Sequence, residues 1–491
     1  MNSRNNLIKY ILMVIILIQV FTPSIISVSS DHFDQLNIQQ TILLAYEINS
    51  KKINSLLHLI PPIYEQQKLF ASDGQAFDRF GLSVAITDYV LVIGSPYNDE
   101  NGYASGAAYV YRYNGSAWIE EQKLLASDGS INDFFGYAVA IDGNRILIGS
   151  YGNDNRNGQN AGAVYLYHYD GLIWHEEAKL LASDGAEDDV FGWAVAIQDA
   201  VLIGAPYDDD NGDNSGSAYI FRHIDDKWVE ETKLLASDGK SGDEFGCAVD
   251  IDNDRCIIGA AQHYGGRKGA AYIFYYAGLV WVEEQKLLNL HGEKGNNFGR
   301  AVAISDNRVI IGEPRNNMNG NDSGVAFLYF FNGANWVKEQ MLLASDGNSG
   351  DEFGGSVAID NEIVVIGSTQ YQGCGKGAAY VYVFNGCNWL TRGKLLASDG
   401  MDYDLFGCCL DIYNHNAIVG AWGEGQNPVD TGASYFYSLI LGDVNGDGVV
   451  NVEDLLILLA EWGKTDSPAD INGDDIVNTA DLLILLANWT G

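Results

Sequence analysis

The sequence predicts a mainly β fold built from seven like units, with a small α-helical module after them. Three observations carry this. The dipeptide Phe-Gly recurs seven times, at Phe80, Phe135, Phe191, Phe245, Phe298, Phe353 and Phe406, so that successive copies lie 53 to 56 residues apart. Each interval holds four strand-like runs and no helical pattern. Two aligned acidic loops of twelve residues follow the last unit. A fixed period of this length marks a supersecondary unit that buries its core only against its neighbours.

The second unit shows the elements in order. The run FGYAVAI ends at Asp142-Gly143-Asn144, residue types that tolerate the backbone angles of a tight hairpin. The runs RILIGS (145–150) and AVYLYHY (163–169) are β-branched and aromatic, and of strand length. A fourth run carries Trp174 into Lys179-Leu180-Leu181. Four short strands per unit, seven times over, predict a seven-bladed β-propeller of four-stranded antiparallel blades. The seventh unit stops after Ala433-Ser434-Tyr435-Phe436-Tyr437 and lacks a fourth strand. The missing strand stands at the other end, where Ile63 to Leu69 aligns with Trp118 to Leu124. This N-terminal strand is expected to complete blade seven and close the ring, which protects the sheet edges. An open solenoid would leave the strand count unbalanced.

The 491 residues include 65 Asp and Glu against 28 Lys and Arg, for a net charge of −37. That balance excludes nucleic acid, whose phosphates need clustered Lys and Arg, and disfavours anionic membrane surfaces. Residues 1–29 read as a signal peptide: Arg4 and Lys9 precede the apolar run Ile11 to Val20, and small residues follow around Ser27, Val28 and Ser29. A retained anchor is the alternative, but the run is about half the roughly 20 residues a spanning helix needs. The expected location is secreted or cell-surface, without membrane insertion once the signal is removed. Residues 30–61 read as a linker or short helix stopped by Pro61-Pro62, residues 62–440 as the propeller and residues 441–491 as the helical module. Six cysteines (Cys247, Cys256, Cys374, Cys387, Cys408 and Cys409) allow fifteen pairings in a secreted chain. Cys247 and Cys408 occupy the position after Phe-Gly that Tyr137 and Trp193 fill elsewhere, which reads as core packing.

The sharpest chemistry lies in the C-terminal loops. The first places Asp443, Asn445, Asp447, Asn451 and Asp454 at positions one, three, five, nine and twelve, with Gly448 at the turn. The second, 27 residues on, places Asp470, Asn472, Asp474, Asn478 and Asp481 likewise, but has Asp475 at the turn. Val449 and Ile476 at position seven would offer backbone carbonyls. Calcium takes six to eight oxygen ligands, so two Ca2+ ions are the expected cofactors, one per loop. Helices are expected over Asp454 to Trp462 and Asp481 to Trp489.

Two families are recognisable from these residues. The array resembles FG-GAP repeats, the units of the integrin α-subunit propeller. Phe-Gly matches, and the Gly-Ala-Pro element stands as Gly94-Ser95-Pro96, Gly204-Ala205-Pro206 and Gly312-Glu313-Pro314. Integrin-type units often carry a calcium loop between these two elements. Here the connection is a short turn such as Asp252-Asn253-Asp254, so that site is not carried over. Residues 441–491 resemble a type I dockerin domain. That resemblance implies calcium at the loop positions above and docking to a cohesin-like or cell-surface scaffold. The tenth and eleventh loop positions, Val452-Glu453 and Thr479-Ala480, differ from the hydroxyl pair common in cellulosomal dockerins.

Other repeated features receive structural readings. The aspartates of the ASDG turns (Asp73, Asp128, Asp184, Asp238, Asp346 and Asp399) read as caps of local turns. The loop Asp208-Asp209-Asp210-Asn211-Gly212-Asp213 reads as a solvated turn, with a cation site as the alternative. The six aligned tryptophans from Trp118 to Trp389 read as packing between blades. The functional expectation is a non-enzymatic calcium-binding protein whose propeller binds a protein or polysaccharide ligand for adhesion. The alternative is a polysaccharide-degrading enzyme or accessory subunit. The sameness of the turns from unit to unit speaks against a catalytic funnel.

Overall fold

The computed structural model describes residues 63–262, 268–370, 375–424, 431–440, 442–444, 450–465, 467, 469, 471 and 476–489. The expected signal peptide and linker, residues 1–61, lie outside the described residues, as does Cys374. The other five cysteines are free.

Seven separate four-stranded antiparallel sheets are present among the described residues. In blade two the strands Ala138–Asp142, Arg145–Ser150, Ala163–Tyr169 and Trp174–Leu180 pair in chain order. Asp142 lies opposite Arg145 across the turn Gly143-Asn144. The third strand is buried along most of its length because both its faces meet a neighbouring blade. In six blades Phe-Gly precedes the first strand rather than opening it; only in blade four does that strand begin at Phe245. The phenylalanine backbone instead bridges the preceding blade, as at Gly106 with Phe135 and Gly162 with Phe191. In six blades its ring packs edge-on against a tyrosine of its own blade, with Phe135 and Tyr165 centroids 5.3 Å apart, and in blade five Phe298 meets Phe327 instead.

The ring closes as the sequence predicts. Strand Glu65–Leu69 pairs antiparallel with Ala433–Ser438, with Lys68 opposite Tyr435, and Phe80 bridges Gly432. Two glycines explain how closely blades approach. A Cβ at Gly94 would overlap the carbonyl oxygen of Gly136 in the next blade. The same overlap recurs at Gly204 with Gly246 and, across the closure, at Gly420 with Gly81. The Phe-Gly and Gly-Ala-Pro glycines are thus two sides of one seam.

The tryptophans join blades, as expected. Trp174, Trp336 and Trp389 donate their indole N–H to Glu121, Glu284 and Glu339 of the preceding blade at 3.1, 2.8 and 2.9 Å. A glutamine beside each of these glutamates exchanges two hydrogen bonds with the same tryptophan backbone, as Gln122 does with Trp174. The seams flanking the closing strand depart together. Ile63 stands where a tryptophan is otherwise found, and Arg392 holds the aligned glutamate position in the preceding blade. Gln66 takes the glutamate position opposite Trp118, whose Nε1 is buried without a partner among the described residues.

Candidate functional site

The ASDG aspartates, expected to cap local turns, bond across to the following blade, a correction to the sequence reading. Asp73 accepts hydrogen bonds from Tyr109 and Lys123 of the following blade, both at 2.7 Å. Asp128 does so from Tyr165 and Lys179, and Asp399 from Tyr435 and Lys68 across the closure. The preceding serine joins in: Ser127 donates from its backbone N–H and hydroxyl to Glu176. Burial would raise the carboxyls of Asp73, Asp128 and Asp399, but the lysine and tyrosine bonds outweigh it and hold them below the ordinary carboxylate range. A depressed folded-state pKa gives stability that is present above the unfolded value and lost as pH falls through the folded one. Unit five lacks all three partners together: His291, Phe327 and Met341 replace Asp, Tyr and Lys.

The acid-rich loop at Asp208 is neither a solvated turn nor an open cation site. The Lys233 ammonium sits among Asp208, Asp210 and Asp184 at 2.7, 2.7 and 2.9 Å, over the Tyr219 ring. Burial would lower the lysine pKa, but bonds to these carboxylates raise it. The side chains of Lys233 and Asp208 are 14% and 4% exposed, so this pair is shielded from solvent. Lys233→Met is therefore expected to cost about 3 kcal/mol in urea unfolding, because it strands a buried carboxylate. Adding Asp208→Asn should recover part of the loss, since Asn316 and Met341 coexist at these positions in unit five. A neutral Lys233→Met would refute the role given to this ammonium.

A different feature occupies one mouth of the central channel. The Phe-Gly and Gly-Ala-Pro elements share one end of each blade, where Gly81 N–H donates to the Gly94 carbonyl at 3.0 Å. The residue before Phe-Gly is left-handed in every blade, with φ from 53° at Glu352 to 61° at Asn297. Its identity changes with each unit: Arg79, Phe134, Val190, Glu244, Asn297, Glu352 and Leu405. The residue after Phe-Gly varies as freely, through Tyr137, Trp193 and Arg300. The expected sameness of these turns fails at the two positions beside the dipeptide.

Blades one to three contribute an aromatic arc. Tyr137 lies 4.5 Å from Tyr151 and 4.8 Å from Trp193, and Phe134 stacks on Tyr151 at 5.0 Å. Tyr97 and Tyr207 extend the arc at its two ends. The Arg79 guanidinium lies over Tyr97 at 4.0 Å and over Trp422 of blade seven at 4.5 Å. Blades five to seven line a cavity of about 360 Å³ that includes Arg300, Arg315, Glu352 and Trp422. Burial pushes the Tyr137 hydroxyl up to about 12, and Arg300 and Arg79 both act on it in the opposite sense. Arg79 joins the arc, through Tyr97, to the cavity, which Trp422 lines. An alignment of the seven units with each other would have exposed these variable positions.

The C-terminal module contains helices α1, Val452–Ala460, and α2, Thr479–Ala487. Both start two residues before the expected positions, inside the loops, and end before their tryptophans. Asn451 caps α1: its side chain accepts from Glu453 N–H, and Asp454 accepts from Asn451 N–H. Asp454 also accepts from Val444 N–H at 2.8 Å, which ties the start of the first loop to its end. In the second loop Asp481 accepts from Asn478 N–H at 2.8 Å. Asp454 and Asp481 are fully buried and Asp443 nearly so. Val450, Leu458, Val477 and Leu485 form the module's core. Ile476 is exposed. Asn445, Asp447, Val449, Asp470, Asn472 and Asp474 lie outside the described residues.

These carboxylates suit a cation. Lys464 is the only Lys or Arg in the sequence of residues 441–491, and it pairs with Glu461. Buried carboxylates without a cationic side chain are costly unless another positive charge faces them. A calcium ion at each loop would supply that charge.

Comparison with known families agrees with both halves of the fold. The FG-GAP repeat model matches at residues 64–111, 118–167, 174–221, 228–274, 281–329, 336–382 and 389–437, together more than half of the chain. The dockerin type I domain model matches at residues 441–488. Comparison with curated proteins returns no match. Type I dockerin domains generally bind calcium and typically dock onto cohesin scaffolds, and proteins that carry them are usually extracellular or on the cell surface. No helix among the described residues is long and apolar enough to cross a membrane. The chain belongs to the FG-GAP repeat family, as a seven-bladed β-propeller with a type I dockerin domain at its C-terminal end.

Proposed function

We propose that this is a secreted, non-enzymatic docking and binding protein. Its signal peptide spans residues 1–29, a linker residues 30–61, the propeller residues 62–440 and the dockerin domain residues 441–491. The dockerin holds two calcium ions and seats the chain on a cohesin-like or cell-surface scaffold. The first ion takes Asp443, Asn445, Asp447, the Val449 carbonyl, Asn451 and Asp454. The second takes Asp470, Asn472, Asp474, the Ile476 carbonyl, Asn478 and Asp481. Asn451 acts through water, since its side chain already caps α1. The propeller binds a protein or carbohydrate ligand.

The observation that carries the docking half is the burial of Asp454 and Asp481 in a domain matched as a dockerin. The binding half draws support from the propeller's acids, many of which are engaged in bonds between blades. A second reading, a polysaccharide-acting enzyme, draws on Asp250 and Asp411. Burial pushes both carboxyls up to about 7, a value suited to proton transfer. Each also accepts a backbone N–H from the next blade, Ile304 for Asp250 and Ile86 for Asp411, which gives them a structural role.

The test uses the full chain. Capture by a cohesin-bearing scaffold should require calcium and cease with chelator. Incubation with plant and algal polysaccharides should release no reducing ends. Capture that ignores calcium removes the docking mechanism, and turnover by pure protein establishes the second reading.

A further inference from the structure

We propose that the Phe-Gly mouth of the central channel binds the end of an acidic saccharide, a chain of pyranose rings bearing carboxylates. This rests on reading the propeller as a binding module, and it adds the face, the residues and the ligand class.

The aromatic arc supplies the first half of the chemistry. Tyr137, Tyr151 and Trp193 are half-buried and mutually in contact, so the protein holds them in fixed orientations. Such rings suit the C–H face of a pyranose, which is apolar although its rim is polar. The second half is cationic. Arg112, Arg145, Arg222, Arg255 and Arg308 each pair with a glutamate. Of the described arginines, Arg79, Arg156, Arg300, Arg315 and Arg392 have no ion-pair partner among the described residues, and three of these five stand at this mouth, where Arg300 and Arg315 line the cavity together with Glu352. Arg300 is exposed and Arg315 half-buried. Planar guanidinium groups left unpaired beside a cavity match a carboxylate through two parallel hydrogen bonds.

The arrangement selects against other guests. A cation would compete with Arg79, which already occupies the faces of Tyr97 and Trp422. A neutral saccharide would bury arginines without giving them a counter-charge. The net charge of −37 repels a long polyanion laid across the surface, so the end of a chain, entering where the arginines concentrate, is the form that fits. The cavity of about 360 Å³ lies at the lower end of the range for small-ligand sites.

The experiment is titration calorimetry of the full chain with oligogalacturonate, oligomannuronate and the methyl ester of each. At least one free acid should bind, and its ester, with the same rings but no charge, at least tenfold more weakly. The double variant Arg300→Gln/Arg315→Gln should lose at least tenfold in affinity at unchanged melting temperature, because neither side chain makes an ion pair. Trp193→Ala should weaken binding as well. No binding of either acid, equal binding of acid and ester, or wild-type affinity in the arginine variant would each overturn the proposal. Retention on polysaccharide that survives the arginine variant sinks this site alone, whereas turnover sinks the binding-module reading on which it rests.

Discussion

Gly204→Ala is expected to abolish the closed propeller. The added methyl would overlap the Gly246 carbonyl oxygen and carbon in the next blade. These are backbone atoms next to a buried phenylalanine, so no side-chain rotation can make room. Phe245 is fully buried, and its backbone also bridges Gly216 of the preceding blade. The blades would have to part, and each depends on its neighbours for its core. The expected loss is about 4 kcal/mol or more, at the extreme of single substitutions. Gly115→Ala is the control. Gly115 has φ 94° but open space around its Cβ position, so only backbone strain is added, about 1–2 kcal/mol. Urea unfolding of the two variants separates overlap from strain. If Gly204→Ala costs no more than Gly115→Ala, the seam does not explain why glycine stands there.

What was legible in the sequence follows the range of the interactions. Strands and turns follow from patterns a few residues long, and the closing strand was legible because Ile63 to Leu69 carries most of the motif spelled out by Trp118 to Leu124. The ASDG turns were misread because their partners lie in the next blade. Tyr109 and Lys123 sit 36 and 50 residues from Asp73, beyond any local pattern. The Asp208 loop looked like a solvated turn or a cation site for the same reason: Lys233, its counter-charge, belongs to another strand. The channel mouth was missed for the opposite reason. A repeat is recognised by what stays constant, and the mouth is built from what changes: Arg79, Phe134 and Glu244 before Phe-Gly, Tyr137, Trp193 and Arg300 after it. Conserved positions hold blades to blades, which leaves the variable ones available for a ligand. The start of α1 differed by two residues because Asn451, read as a loop ligand, also caps the helix.

Chelation of calcium is expected to unfold the dockerin domain and leave the propeller standing. A domain of about fifty residues has a small core and is marginal unless a metal or cross-link supports it. Here that core centres on Val450, Leu458, Val477 and Leu485. The same domain buries Asp454 and Asp481 completely. Without a cation those carboxylates must be protonated or exposed, and exposure means releasing the bonds from Val444, Asn451 and Asn478 that hold each loop to its helix. Calcium binding and folding should therefore appear as one event, with helical signal gained as calcium is added. The propeller's seams are closed by glycine contacts, glutamine–tryptophan bonds and lysine–aspartate pairs, so chelator should leave its melting transition in place. Asp454→Ala removes the carboxylate that caps α1 and that we propose as a ligand of the first ion, and is expected to weaken the first site by about two orders of magnitude, because affinity follows ligand charge. The second loop, with Asp475 where the first has Gly448, should bind more weakly in the wild type. Titration of the full chain, followed by calorimetry and far-ultraviolet circular dichroism, would resolve two sites and assign the stronger to Asp454. A flat titration, or a dockerin transition indifferent to chelator, would mean that these buried acids are balanced without metal and that docking does not depend on calcium.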